Sequence, residues 1–160
     1  WWIWLYRGVK GKRLFKVQKK IIYAIEAVVD IALNSGPNPV QNESIARRQG
    51  IPKRYLEQTL QILVKNKILV GSRGPKGGYS LAKERRRIKI SDIIKSVSNE
   101  DSLINTFNSE LSKKIVLPLI NDISLQCLEK FNNISIEEVC KIAKTKKLKR
   151  DISKKVDFVI

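Results

Sequence analysis

Pro52-Lys53-Arg54-Tyr55-Leu56-Glu57-Gln58-Thr59-Leu60-Gln61-Ile62-Leu63-Val64-Lys65-Asn66-Lys67 leads through Ile68-Leu69-Val70 into Gly71-Ser72-Arg73-Gly74-Pro75-Lys76-Gly77-Gly78 and then Tyr79-Ser80-Leu81. The first part has a helical period. At about 100° per residue, Leu56, Leu60, Leu63 and Lys67 fall within roughly 60° of one another, while Arg54, Glu57, Gln58, Gln61 and Lys65 take the opposite face. Pro52 opens this helix within its first turn, where a missing N–H costs nothing. One face is core. The other mixes donors and acceptors, which on an isolated helix would read as ordinary solvated surface. The next part reads as a strand at Ile68–Val70, a turn-rich tip with two cations, and a return strand at Tyr79–Leu81.

Working upstream, a helix is predicted from about Lys16 to Asn34, with Ile21, Ile25, Val28, Val29 and Ala32 as its apolar stripe. Ser35-Gly36-Pro37-Asn38-Pro39 stops it. A short helix from Asn42 to Gln49 buries Ile45 and Ala46, and Gly50 supplies the permissive backbone for a tight turn into Pro52. Two helices joined by a tight glycine turn and followed by a basic hairpin make a winged helix-turn-helix. The alternative for the glycine-rich tip, a phosphate cradle in a nucleotide site, does not fit. The loop leads into a strand rather than a helix and lacks both the G-x-G-x-x-G and the G-K-[ST] spacing.

Composition points the same way. Lys and Arg number 32 against 15 Asp and Glu, a formal net charge of +17, which is the footprint of a polyanion binder. Charge alone does not separate nucleic acid from an anionic membrane surface. The chain has no histidine, which excludes Ser-His-Asp and Cys-His nucleophiles and His-ligated zinc. Lacking also a nucleotide loop or a metal-ligand set, it reads as a non-enzyme. Cys127 and Cys140 are too far apart for a C-x-x-C motif and sit among apolar residues, so both read as reduced thiols packed in an interface of a cytoplasmic protein. No run approaches the roughly 18 apolar residues of a membrane span. The opening Trp1-Trp2-Ile3-Trp4-Leu5-Tyr6, followed by the charged run Arg7 to Lys20, reads as an extension folding back on the body, with insertion at a membrane surface the alternative.

Downstream, Lys83-Glu84-Arg85-Arg86-Arg87 follows the wing as phosphate contacts or solvated surface, and Ile90 to Val97 forms a short helix closing the first domain. Asn99 to Ser112 is polar and weakly periodic. Pro118 marks the start of a further helix on which Ile120, Ile123, Cys127 and Phe131 space out one apolar seam. Such a seam needs a partner, and the same helix of a second copy supplies one. Ser135 and Glu138 form a capping box for a last helix, with Ile134 stapling onto Val139. The lysine-rich tail after it is either solvated or a nonspecific DNA contact. The division is therefore an extension over 1–15, a winged helix-turn-helix domain over 16–98, a linker and dimerisation helices over 99–143, and a basic tail over 144–160. The fold class is mainly α with a small β-hairpin wing, plus a long dimerisation helix.

Tyr23-Ala24-Ile25-Glu26-Ala27, Ile45-Ala46, Ile51-Pro52-Lys53-Arg54-Tyr55-Leu56-Glu57-Gln58 and Arg73-Gly74-Pro75-Lys76-Gly77-Gly78-Tyr79-Ser80-Leu81-Ala82 together resemble the iron–sulfur cluster regulator family of winged-helix bacterial transcription factors, the IscR, NsrR and CymR type. The likeness covers about Gln18 to Ala143. It implies a dimer whose long helix after the winged domain crosses to the partner. It also implies base contacts from Arg54, Glu57 and Gln58, with Arg73 of the wing entering the adjacent groove. Side-chain chemistry suits those roles: Arg donates twice to guanine, Gln pairs with adenine, and Glu accepts from the cytosine amino group. Lys53, Gln61, Lys65, Ser72, Lys76 and Tyr79 would serve phosphates, as would the Arg85–Arg87 run. The family's sensing members carry three clustered cysteines in the stretch matching Asn99 to Lys114, and this sequence has none there. A cluster usually needs four thiolates and one chain offers two, so a cluster would have to bridge two subunits. The resemblance is thus to a cluster-free branch, whose signal is a protein partner, a small molecule or nothing.

The expected function is sequence-specific transcription regulation, as a repressor binding double-stranded DNA as a homodimer on a palindromic operator. Its competitor is nonspecific nucleic-acid binding, architectural or RNA-directed, which the high charge and basic tail also fit.

Overall fold

The structure, a computed structural model, describes residues 17–98 and 107–146. The aromatic opening, most of the linker after Asn99 and the end of the basic tail lie outside the described residues.

Helix α1 (Lys19–Asn34) is the central post, packed by α3, α4 and α6. Its fully buried line is Ala24, Ala27, Val28, Ile31 and Ala32; Ile21, Ile25 and Val29 lie half-buried at its edge. The sequence stripe was therefore rotated by part of a turn, because it weighted large side chains. Several helices meet on α1, and alanine at 24 and 27 lets their axes come close. The helix starts at Lys19 rather than Lys16.

Asp30, also on α1 and 2% exposed, is the buried charge of the domain. Arg48 donates to both its oxygens, Nε to Oδ2 at 2.9 Å and Nη2 to Oδ1 at 2.6 Å, and Gln49 Nε2 donates to Oδ2 at 2.6 Å. Arg48 and Gln49 are the last side chains of α2 (Asn42–Gln49). The turn that follows is made by Gly50, whose φ of 64° suits glycine, and its N–H closes onto the Ala46 carbonyl.

Helix α3 (Lys53–Lys65) keeps Pro52 as its N-cap rather than inside its first turn. Leu56, Leu60 and Leu63 are fully buried, each contributing about 1.5–3 kcal/mol relative to exposure. Lys67 is not on that face. The helix ends at Lys65, Asn66 caps it, and Lys67 turns left-handed at φ 58°. The N–H of Lys67 then meets the Val64 carbonyl and that of Ile68 the Leu63 carbonyl, each at 3.0 Å. This closure normally uses glycine, so a lysine here costs about 1–2 kcal/mol.

Strands β1 (Leu69–Ser72) and β2 (Gly78–Leu81) pair antiparallel, Leu69 with Leu81 and Ser72 with Gly78. The ladder runs further toward the tip than side-chain propensity indicated, since glycines 71 and 78 contribute backbone bonds without side chains. Val40, from the α1–α2 connection, adds one isolated bridge: its N–H and carbonyl exchange bonds with Tyr79 at 2.9 and 2.8 Å.

A short 3₁₀ turn at Arg85–Arg87 packs on α6 and leads to α4 (Ile90–Val97). The long helix begins before Pro118. Helical residues run from Glu110, pass through a π turn at Ser112–Val116, and continue as α5 (Leu117–Asn132). The wide turn accommodates the ring and missing N–H of Pro118, and the Leu117 N–H reaches back to the Ser112 carbonyl. Helix α6 (Ile136–Thr145) has the expected capping box: the Ser135 N–H donates to Glu138 Oε2 at 2.7 Å, and these bonds hold the Glu138 carboxyl below its ordinary range. Contrary to the division at residue 99, α6 belongs to the winged body. Ile136 and Cys140 lie in the same core as α1, and the Ile136 N–H bonds the Ile88 carbonyl at 2.9 Å while that of Ile90 bonds Ile134 at 3.0 Å.

Replacing Asp30 by Ala removes the buried carboxylate that Arg48 and Gln49 both grip. The expected cost is about 3 kcal/mol of unfolding free energy, read from urea denaturation. A loss below about 1 kcal/mol would mean that α2 is held in place by other contacts.

Candidate nucleic-acid interface

The face of α3 turned away from the core is an open array. Arg54, Glu57, Gln58, Gln61 and Lys65 are all exposed, and Arg54, Glu57, Gln58 and Gln61 make no hydrogen bond or ion pair with a described residue. The leucines on the other side fix this orientation, so the arrangement follows from the helical period. Lys53 lies 3.9 Å from Glu43, with both side chains largely solvated, so the pair adds little and leaves the ammonium available.

The wing stands beside this face. An open groove of about 560 Å³ separates them, with Gln61 and Val64 on the helix side, Ser72, Arg73 and Tyr79 on the wing side, and Gln41 and Asn42 at the head of α2. Ser72, Arg73 and Lys76 are exposed. Two glycines set the tip. A side chain at Gly77 would collide with the Ser72 backbone carbonyl, and a Cβ at Gly78 would sit 2.5 Å from the Val40 carbonyl oxygen. Gln41 Nε2 reaches the Pro75 carbonyl at 3.5 Å, a second tie between wing and body.

Tyr79 is half-buried against the core. Burial, and secondly the nearby Glu57 carboxylate, push its phenol above the ordinary range, so at neutral pH it is an O–H donor beside the lone acid of the α3 array. Sequence reading missed Gln41 and Asn42 as groove residues. The Asn42 carboxamide oxygen is buried without a hydrogen-bond partner among the described residues, an acceptor on the groove wall. It also missed Tyr55, which is exposed on the flank of α3 and packs edge-on to Tyr23 of α1 at 5.5 Å between ring centres.

The predicted seam on α5 is on the surface of the single chain: Ile120, Ile123 and Phe131 are 38–40% exposed, and Cys127 is exposed too. Leu119, one turn before Ile123, and Val116 extend it. Of the α5 residues only Leu117 and Leu128 are even half-buried. Leu128 and Asn132 lie near the end that packs on α4, where Ser91 Oγ donates to Asn132 Oδ1 at 3.0 Å.

The two cysteines sit in different environments. Cys140 is 2% exposed in the core, and burial raises its thiol despite Arg85 and Lys144 nearby, so it remains protonated. Cys127 on α5 is the exposed one of the two. No group of three His, Cys, Asp or Glu side chains among the described residues is placed to hold a metal ion. None of the described helices is long and apolar enough to cross a membrane.

Residues 17–142 match the Rrf2 family model, described as an iron-dependent transcriptional regulator. The HTH-type transcriptional regulator IscR of Sodalis glossinidius is 33% identical over 121 residues, 73% of this chain and 73% of that protein. The IscR of Cronobacter sakazakii is 44% identical over 75 residues, covering 47% of this chain and 46% of its own length. Among solved structures, IscR of T. potens superposes with a TM-score of 0.70 at 31% identity, covering 88% of this chain and 96% of that one. The cysteine regulator CymR of B. subtilis shares the fold, with a TM-score of 0.60 at 24% identity, covering 81% and 98% of the two chains. These relatives are transcriptional regulators, not enzymes.

Proposed function

The chain belongs to the Rrf2 family of DNA-binding transcriptional regulators, and from that premise we propose that it represses transcription as a homodimer reading a palindromic operator in the bacterial cytoplasm. The observation that carries this reading is the open array of Arg54, Glu57 and Gln58 on α3, unpartnered among the described residues, beside the glycine-tipped wing.

Each residue type has a defined task. Arg54 donates to a guanine edge and Gln58 pairs with adenine, while Arg73 enters the neighbouring groove from the wing. Glu57 is the telling one. A carboxylate facing a phosphate polyanion is repelled unless it meets a base donor such as the cytosine amino group, so its place among cations favours sequence reading over generic charge binding. Lys53, Gln61, Lys65, Ser72, Lys76 and Tyr79 position the duplex through its phosphates. The α5 stripe pairs with its counterpart in a second copy, so that two α3 helices meet successive major-groove faces of a two-fold site. With Cys140 buried, the protein works without an iron–sulfur cluster, and its signal is a protein partner, a small molecule or nothing.

Fragments selected by the protein from its own genome should share a palindrome bound roughly a thousandfold or more tighter than random duplex. A flat ratio would favour the nonspecific alternative that the +17 charge allows. On that operator, Glu57→Ala should relax preference at one position while overall affinity stays within about 1–3 kcal/mol, read by competition binding. Equal weakening on every sequence would remove the base-reading role. Ile123→Glu should give monomers by light scattering, and a persisting dimer would place the interface elsewhere. Protein purified without oxygen should be colourless; visible iron–sulfur absorption would overturn the cluster-free reading.

A further inference from the structure

A recess of about 170 Å³ lies at the root of the wing, where α3 turns into β1 and the chain leaving β2 passes α4. Three lysines line it, Lys67 just past the end of α3, Lys83 after β2 and Lys95 on α4, and all three side chains are exposed. None of the three makes a hydrogen bond or ion pair with a described residue. Asp92 is the acidic side chain in the lining, and its Oδ2 is already engaged by the Lys89 N–H at 3.0 Å as the cap of α4. Among the described residues, three unpaired cations against one occupied carboxylate leave a formal excess of two positive charges over a floor made by the buried Ile68 and Ile88.

We propose that this recess is a binding site for a small dianion of the phosphate or dicarboxylate type. Three geometric points support it. Lysines gathered around one recess repel through their like charges, and a dianion among them relieves that repulsion. Ser96, on the wall, already gives its hydroxyl proton to the Asp92 carbonyl at 2.7 Å, so the charged donors are the lysines, which select an anion over a neutral ligand. Lys67 occupies a left-handed position that glycine would fill without strain, and strain of this kind gathers at working sites. The volume admits a small anion and excludes a nucleotide.

A duplex phosphate is the competing occupant. The recess shares no lining residue with the groove between α3 and the wing. By the helical period, Asn66 on its rim is about 180° around α3 from Glu57. Lys67, Lys83 and Lys95 come from three elements, so a bound dianion ties the wing root to α4. The site itself does not depend on the reading of α3.

The test is a titration of the DNA-free full chain with inorganic phosphate, followed by amide NMR, with chloride balancing ionic strength. Saturable shifts are expected at Lys67, Ile68 and Ser96. Lys67→Gly removes one ammonium while relieving the left-handed strain. It should raise Tm and weaken phosphate about tenfold or more, and Lys83→Gln and Lys95→Gln should weaken it as well. Linear shifts, shifts equally large at Lys144 on α6, or affinity unchanged in Lys67→Gly would each overturn the proposal. So would phosphate shifts that fail to saturate while Lys95→Gln weakens duplex binding, since the lysines would then be DNA contacts.

Discussion

The Asp30 carboxylate, sunk in α1 and gripped by Arg48 and Gln49, anchors the end of α2 from which α3 departs. The two gripping side chains are the last of α2, and one residue later the backbone turns at Gly50 into α3. The angle at which α3 leaves the body is thus tied to a charge that has nowhere else to go. Buried ion pairs contribute little to net stability against an apolar replacement, but breaking one leaves an uncompensated charge. Here the pair works as a geometric stop. Packing of Leu56, Leu60 and Leu63 holds α3 down, and the carboxylate keeps α2 from sliding along α1.

The wing depends on the same body through a different device. Val40 belongs to the connection that brings the chain from α1 to α2, and its backbone bonds to Tyr79 tie the two-stranded hairpin to the body through one isolated bridge. Gly78 has to be bare because that connection passes 2.5 Å from where its Cβ would be. Glycine in this tip is therefore set by backbone approach as much as by turn formation.

Much of this was legible in the sequence. The period of 3.6 placed the α3 array correctly, since burial of three leucines determines where the other side points. The capping box at Ser135 and Glu138 and the turn at Gly50 are local chemistry and were equally readable. What escaped notice depends on contacts distant in sequence. The Asp30–Arg48 pair spans 18 positions, so no local window shows that this one carboxylate is buried. Lys67 reads as a continuing helix until the closure onto Leu63 and Val64 is seen. Helix α6 looked like an appendage to the long helix because its partners, α1 and the strand-like segment before α4, lie far upstream. Pro118 looked like a beginning, and the π turn that lets a helix pass through a proline has no simple sequence signature.

The long helix has one further consequence. Its principal neighbour is α4, near its C-terminal end, where Asn132 meets Ser91 and the chain then pairs beside Ile88 and Ile90. The rest projects, with nearly every side chain in solvent. Mechanically it is a cantilever. Any load taken up along the free portion becomes a torque at the clamped root, and the member bearing that torque is α4, which carries Lys95 and Ser96 in the wall behind the wing.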